Sequence, residues 1–246
     1  MRRFYIENKH IINNTVVVKG EEARHIGRVL RLKRNDNILL FDREGNTYTG
    51  IIIDRKHEEV KVKVIDKKKR RLTNKTNVIL CQAITKAKKM DFIVQKSTEL
   101  GVCRIIPFFS SRCVPKWDSI KASNRVQHWQ KIVTASVKQS GVREIPAVEN
   151  ILDFSDLIKK DFEGFLKLIL WERESELSLK KIFTSKGIPS KILFVVGPEG
   201  GFSEDEIILA KEDGFVPVGL GNYILRAETV PIAVLTIISY ENGELG

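Results

Sequence analysis

Through the first 70 residues, apolar positions recur in short runs. Val60, Val62 and Val64 alternate with Lys61 and Lys63, the period of a strand with one face buried and one wet. Runs rich in Val, Ile, Tyr and Phe at Phe4–Glu7, Thr15–Lys19, Asn37–Asp42, Thr47–Asp54 and Glu59–Asp66 are bounded by Gly, Asn and Asp, and predict strands. One helix, at about Glu21–Arg31, interrupts them. Ala23, Ile26, Val29 and Leu30 fall on its core face. Arg24, Arg28 and Arg31 fall opposite at i, i+4 and i+7, a spacing that stacks three guanidinium groups in one stripe. A small closed or partly closed β-barrel buries such strands. Lys67-Lys68-Lys69-Arg70-Arg71 then reads as an exposed linker, because five successive cations resist burial.

From residue 77 the rhythm changes to longer units. An apolar run at Asn77–Ile84 precedes a helix at about Lys88–Leu100, with Met90, Ile93, Val94, Ser97 and Leu100 inward and Gly101 as C-cap. Val102–Phe109 is a strand. A long helix, Ser123–Ser140, carries Val126, Trp129, Ile132, Val133 and Val137 on one face and ends at Gly141. Strands at Leu166–Trp171, Lys191–Val196 and Phe215–Gly219 follow, with helices at about Glu204–Asp213 and Pro231–Tyr240. Strands apolar on both faces and alternating with helices predict an α/β domain with a parallel sheet. The expected domains are therefore residues 1–71 and 72–246.

Charge sharpens this division. Residues 1–71 hold 19 Lys/Arg against 10 Asp/Glu, whereas residues 72–246 hold 23 against 21. Nearly all of the net +11 sits in the first third of the chain, which suggests a polyanionic partner there. No apolar run is long enough to cross a bilayer, and the start lacks a signal-peptide pattern, so a cytoplasmic protein with no membrane partner is expected. Cys81, Cys103 and Cys113 lack metal-ligand spacing; reduced thiols and no metal are expected.

Two loops carry candidate chemistry. Phe194-Val195-Val196-Gly197-Pro198-Glu199-Gly200-Gly201-Phe202-Ser203 runs from a buried strand through three glycines into a helix that Ser203 and Glu206 start as a capping box. Glycines at a strand's carboxyl end let a ligand lie against backbone amides, so Gly200→Val is expected to place carbons where the ligand approaches. The pattern is neither G-x-G-x-x-G nor a Walker A loop. After the next strand, Gly219-Leu220-Gly221-Asn222-Tyr223-Ile224-Leu225-Arg226-Ala227-Glu228-Thr229 leads into a second helix. Arg226 and Glu228 there either pair with each other or leave Arg226 aimed at a phosphate or base edge.

Together with Lys96-Ser97-Thr98-Glu99-Leu100-Gly101-Val102, Gln139-Ser140-Gly141 and the N-terminal Arg24-His25-Ile26-Gly27-Arg28-Val29-Leu30-Arg31, these loops resemble the RsmE family of 16S rRNA uridine-N3 methyltransferases, in the SPOUT superfamily. Val230 and Cys113 depart slightly from the family pattern. The resemblance implies a PUA-like N-terminal β-barrel, a C-terminal SPOUT α/β domain with a deep trefoil knot, a homodimer, and S-adenosylmethionine as cofactor. By position, the cofactor contacts would be Leu170, Trp171, Glu172, Gly197, Glu199, Gly200, Gly201, Leu220, Gly221, Ile224, Leu225 and Arg226. The RNA contacts would be Arg3, Arg24, His25, Arg28, Arg31 and Lys33, with 16S rRNA in the small ribosomal subunit as partner.

Uridine N3 must lose its proton before it can attack a methyl group, and the negative charge then spreads to the flanking carbonyls. Arg226 is the candidate cation that stabilises it. No histidine stands out as a base, and Glu199 could serve as one or could orient its loop. A non-catalytic RNA-binding module would share the basic barrel but not the glycine loops. Ribose 2′-O methylation is the rival chemistry, disfavoured by the sequence at Gln95–Gly101.

Overall fold

The computed structural model describes residues 3–6, 11–42, 46–56, 58–68, 76–114, 117–140, 142 and 145–245. The chain divides into two compact units. Unit 1 is residues 1–72 with 137–145, and unit 2 is residues 73–136 with 146–246. The first unit thus takes in the end of the long helix, which the sequence pattern assigns to the second domain.

Unit 1 is built on a six-stranded sheet. Its strands are β1 (Arg3–Tyr5), β2 (Ile11–Ile12), β3 (Thr15–Lys19), β4 (Asn37–Phe41), β5 (Thr47–Lys56) and β6 (Glu59–Lys68), in the order β1-β4-β5-β6-β3-β2. The β1–β4 pairing is parallel and the others are antiparallel. Among the described residues no pairing joins β1 to β2, so the sheet path stays open. The buried positions follow the alternation in the sequence: Val16 and Val18, Ile38 and Leu40, and Val60 and Val62 enclose a core with Phe4, Ile26 and Tyr48. Asp42, fully buried, accepts hydrogen bonds from Tyr48 Oη at 2.7 Å and from Asn46 N and Nδ2 at 2.9 Å, and so ties the end of β4 to the start of β5.

Two N-terminal expectations are corrected. The predicted helix is α1 (Gly20–Arg24) followed by one π-helical turn (His25–Val29), marked by Leu30 N donating to His25 O at 3.0 Å. The wider turn rotates later positions off the α-helical register. Val29, expected in the core, is 69% exposed. Arg31 lies past the helix with φ of 51°, so the three arginines are all exposed but do not form one i, i+4, i+7 stripe. The first two residues of the expected linker are strand instead. Lys67 and Lys68 belong to β6, where Lys67 Nζ lies 5.4 Å from the centre of the Tyr48 ring. Lys69-Arg70-Arg71 lie outside the described residues, as do Glu7, His10, His57 and Gly141.

Unit 2 holds a seven-stranded, wholly parallel sheet: β7 (Asn77–Ala83), β8 (Arg104–Phe109), β9 (Ala147–Val148), β10 (Leu152–Asp153), β11 (Leu166–Leu170), β12 (Lys191–Val196) and β13 (Val216–Val218). The order is β10-β8-β7-β12-β11-β13, with β9 beside β8. From β7 the chain runs outward to one side, and from β12 to the other. That neighbouring pair is a topological switch point, where ligands bind in open α/β sheets.

Helices α2 (Ala87–Glu99), α3 (Ser119–Ser140), α6 (Glu204–Glu212) and α7 (Thr229–Glu241) follow the apolar periodicity, and Met90, Ile93, Val94 and Ser97 of α2 are buried as expected. Gly101, at φ 82°, ends α2. Helices α4 (Phe154–Lys159) and α5 (Leu179–Lys186) were not anticipated, because six or eight residues give too little periodicity. Trp129 Nε1 of α3 donates to Asp91 Oδ1 of α2 at 3.1 Å. No helix among the described residues is long and apolar enough to cross a membrane.

The capping box that opens α6 does more than start a helix. Ser203 Oγ accepts from Glu206 N, and Glu206 Oε2 accepts from Ser203 N at 2.9 Å. Its other oxygen, Oε1, accepts from Ser111 N at 2.9 Å, in the loop after β8. Burial alone would raise the Glu206 pKa, but these donors outweigh it and hold the carboxyl below its usual 4.5. A lowered folded pKa gives stability that is present above the unfolded value and lost as pH falls through the folded one. Glu206→Gln is expected to cost about 1–3 kcal/mol at pH 7. It should also remove part of the acid sensitivity that the wild type shows below its unfolded pKa. Urea unfolding of both proteins from pH 7 to 3 checks this; equal stabilities throughout would refute it.

Candidate active site

Strands β12, β11 and β13 are adjacent and parallel, so their carboxyl ends deliver three loops to one edge of the sheet. Between the loops lies a cavity of about 530 Å³, the size of a small-molecule site. Leu170, Val196 and Val218, the last residues of the three strands, line it and are buried. Trp171 and Glu172 continue from β11. Gly197, Glu199, Gly200 and Gly201 follow β12, and Leu220, Gly221, Ile224, Leu225 and Arg226 follow β13; all of these line the cavity.

The first loop is fixed from three sides. Gly201 N donates to Pro198 O at 3.0 Å in a tight turn, and Gly201 takes φ of 66°, a left-handed conformation that glycine adopts without strain. Phe202 anchors the loop in the core, stacked 6.4 Å from Phe108. Arg112 Nη1 donates to Gly200 O at 2.8 Å. A Cβ at Gly200 would meet the Arg112 side chain at 3.4–3.6 Å, an ordinary contact, so a methyl group fits there without displacing Arg112. At Gly201 a Cβ would lie 2.8 Å from Glu172 Oε1, which places that carboxylate against the loop.

The second loop is pinned where it leaves β13. Gly219 N donates to Leu177 O at 2.9 Å, and a Cβ on Gly219 would lie 2.2 Å from the Glu174 carbonyl oxygen. Only glycine permits that approach. Beyond it the loop is open: Tyr223 and Ile224 are 86% and 85% exposed. Arg226 O then accepts from Thr229 N at 2.8 Å as α7 begins.

The ionic contacts correct the first of the two sequence alternatives, the pairing of Arg226 with Glu228. Glu228 pairs not with Arg226 but with Lys89 of α2, Oε2 to Nζ 3.2 Å, an ion-pair contact without hydrogen-bond geometry. Lys89 Nζ also lies 3.3 Å from Glu199 Oε1. Burial alone would lower the Lys89 pKa, but the two carboxylates outweigh it and raise it. For Glu228, burial raises the pKa, and the backbone N–H, Lys89 and the charge of Arg226 together lower it below the usual value. Arg226 itself is exposed and lines the cavity without an ion pair among the described residues. Lys89 was missed from sequence. The available signal was a cation in the first turn of a helix with no acidic residue there, a placement that the helix dipole disfavours.

The N-terminal candidates lie in unit 1. The Arg3 guanidinium lies 5.2 Å from the centre of the Phe41 ring. Arg24 Nε is 3.7 Å from Glu58 Oε1, and exposed His25 meets the Phe4 ring edge-on at 6.0 Å. Arg28, Arg31 and Lys33 are exposed; Lys33 N donates to Asp36 Oδ2 at 2.7 Å.

The RNA methyltransferase domain family matches residues 72–239, and the RNA methyltransferase PUA domain family matches residues 18–65. The ribosomal RNA small subunit methyltransferase E of Bacillus subtilis is 33% identical, an alignment covering 98% of this chain and 97% of that protein. The chain belongs to the ribosomal RNA small subunit methyltransferase E family. The member from Buchnera aphidicola subsp. Schizaphis graminum is 31% identical, an alignment covering 99% of this chain and 97% of that protein. The Neisseria gonorrhoeae member, solved bound to S-adenosyl methionine, superposes with a TM-score of 0.88 at 33% identity, covering 98% of this chain and 97% of that one. A Legionella pneumophila protein solved with bound cofactor SAM gives 0.87 at 29% identity, covering 97% and 96%. Family membership accounts for both units, a PUA-like domain and an α/β methyltransferase domain.

The two loop glycines make opposite predictions. Gly219→Ala drives a methyl group into a backbone carbonyl that cannot yield, and is expected to cost at least about 1–3 kcal/mol. Gly200→Ala meets only ordinary contact and should stay within about 0.5–1 kcal/mol of wild type. Urea unfolding of the two variants checks this, and equal losses would refute it.

Proposed function

We propose that this chain transfers a methyl group from S-adenosylmethionine to N3 of a uridine in 16S rRNA of the small ribosomal subunit. The observation that carries the reading is the cavity at the carboxyl ends of β11, β12 and β13, in a chain 33% identical over nearly its whole length to a protein solved with that cofactor. The residues fit the cofactor's chemistry. An apolar floor suits an adenine ring, glycine-bearing loops offer backbone groups, and Glu172 and Glu199 bring negative charge near a cationic sulfonium. A non-catalytic RNA-binding module has no use for such a cavity.

When bound, the sulfonium supplies an electrophilic methyl group. The protein's own part is positioning, exclusion of water and stabilisation of charge. Arg226 stands at the cavity wall with no ion pair among the described residues, as the cation for the uracil oxygens once N3 has lost its proton. In this reading residues 1–71 grip RNA, residues 72–246 carry out the transfer, and the protein works in the cytoplasm. The reading includes the trefoil knot, which the return of α7 against α2 and the meeting of two late loops at one cavity support. It also includes the homodimer. Ile237 and Tyr240 on the outer side of α7 and Phe92 on α2 leave 38%, 67% and 42% of their surface exposed, apolar area suited to a second copy.

Incubation of the wild type with S-adenosylmethionine and small-subunit rRNA, free or assembled, should yield 3-methyluridine by nucleoside mass spectrometry; a different methylated nucleoside would refute the assignment. Arg226→Ala should lower the single-turnover rate by ~10²–10³ with little change in binding, and Lys should rescue only in part. Normal transfer by Arg226→Ala at saturating cofactor and RNA would remove Arg226 from the chemistry.

For RNA binding, Arg24, Arg28 and Arg31 are expected to neutralise phosphates. Their joint replacement by Ala should reduce the magnitude of the log Kd versus log salt slope by about 0.7–0.9 for each phosphate left without its cation. An unchanged slope would place the RNA elsewhere.

A further inference from the structure

Lys89 brings to the cavity wall a cation that belongs to neither glycine loop. It sits in the first turn of α2, where the helix dipole repels a cation and Lys88 adds a second positive charge. A residue that breaks a local rule and is held in place by tertiary partners is where function is to be sought. Its partners are specific. Glu199 belongs to the loop after β12, and Glu228 to the end of the loop after β13. Lys89 thus joins three segments that are far apart in sequence: the helix after β7 and the two glycine loops, after β12 and β13.

We propose that Lys89 is a positioning residue for the cofactor site: its ammonium, bridging Glu199 and Glu228, holds the two glycine loops at the spacing that an adenosyl ligand needs. This rests on the cofactor reading above. Without the bridge, two carboxylates face each other across the gap and push the loops apart, and Glu199 is left without its cation at the cavity wall. Each loop is otherwise anchored on its own side only, the first by Phe202 and Arg112 and the second by Gly219. Among the described residues, no other ion pair joins the two loops.

Glu228 gives the sharpest test. It does not line the cavity, so it acts on a ligand only through its neighbours, and the one it pairs with is Lys89. Titration calorimetry on the full chain, with S-adenosylmethionine and with its neutral product S-adenosylhomocysteine, separates the outcomes. Lys89→Met should weaken both ligands by about tenfold or more, as expected when charge-assisted interactions are removed. Glu228→Gln, nearly isosteric, should weaken both by several-fold although it touches neither. Lys89→Arg, which keeps the charge and can span both carboxylates, should restore most of the affinity. Unchanged affinity in Glu228→Gln overturns the proposal, and so does Lys89→Arg binding as weakly as Lys89→Met. If Lys89→Met does not fold, Glu228→Gln and Lys89→Arg still decide: the proposal then requires weaker binding in the first and near wild-type binding in the second. A wild type that binds neither ligand defeats the cofactor reading itself, a result distinct from either.

Discussion

Parallel strands present a ligand with only one useful edge. Because β12, β11 and β13 all run the same way, their carboxyl ends and the loops that follow must come out on the same side of the sheet. Each strand is buried on both faces, so its end is rigid, and the loops can be irregular without loosening the frame. Lys89 of α2, the helix that follows β7, also reaches the cavity wall. The cavity, the glycines that shape it and the ionic contacts across it all depend on this alignment.

Within that frame, different forces act on each loop. The first is held by packing and hydrogen bonds: Phe202 in an aromatic cluster, Glu206 shared between a capping box and Ser111 N, Arg112 on a carbonyl. The second is held by a steric demand, a glycine pressed against a carbonyl oxygen, and is otherwise exposed. Charge crosses between them through Lys89, whose unfavourable place at a helix N-terminus is offset by two carboxylates. Arg226 is thereby relieved of a structural partner. Glu228, the neighbour that would otherwise neutralise it, is already paired.

Unit 1 solves a simpler problem. Its strands alternate apolar and polar residues, and the buried set forms a core with Asp42 as the polar exception, satisfied by Tyr48 and Asn46. The π-helical turn at His25–Val29 turns Val29 outward, and Arg31 beyond it takes a left-handed conformation, so the arginines do not align on one helix face.

The sequence by itself determined the longer strands, most helices, the parallel sheet and the two glycine loops that line the cavity. Those rest on local periodicity, on glycines at strand ends and on a capping box, which neighbouring residues encode directly; the two-residue strands β2, β9 and β10 are too short to show a period, and Leu170–Glu172 followed only from the family resemblance. It also carried a family resemblance, through motifs spread along the chain. It did not determine who pairs with whom. That Glu228 meets Lys89 and not Arg226 depends on α2 and α7 packing together, 139 residues apart at the paired side chains. That Gly219 must be glycine, with the Glu174 carbonyl 2.2 Å from where a Cβ would lie, depends on segments crossing in space. Nor did it reveal the π turn, because one extra residue in a helical turn leaves the apolar pattern almost unchanged until its last position. Long-range contacts and small shifts of register are settled by packing, and only the tertiary structure decides them.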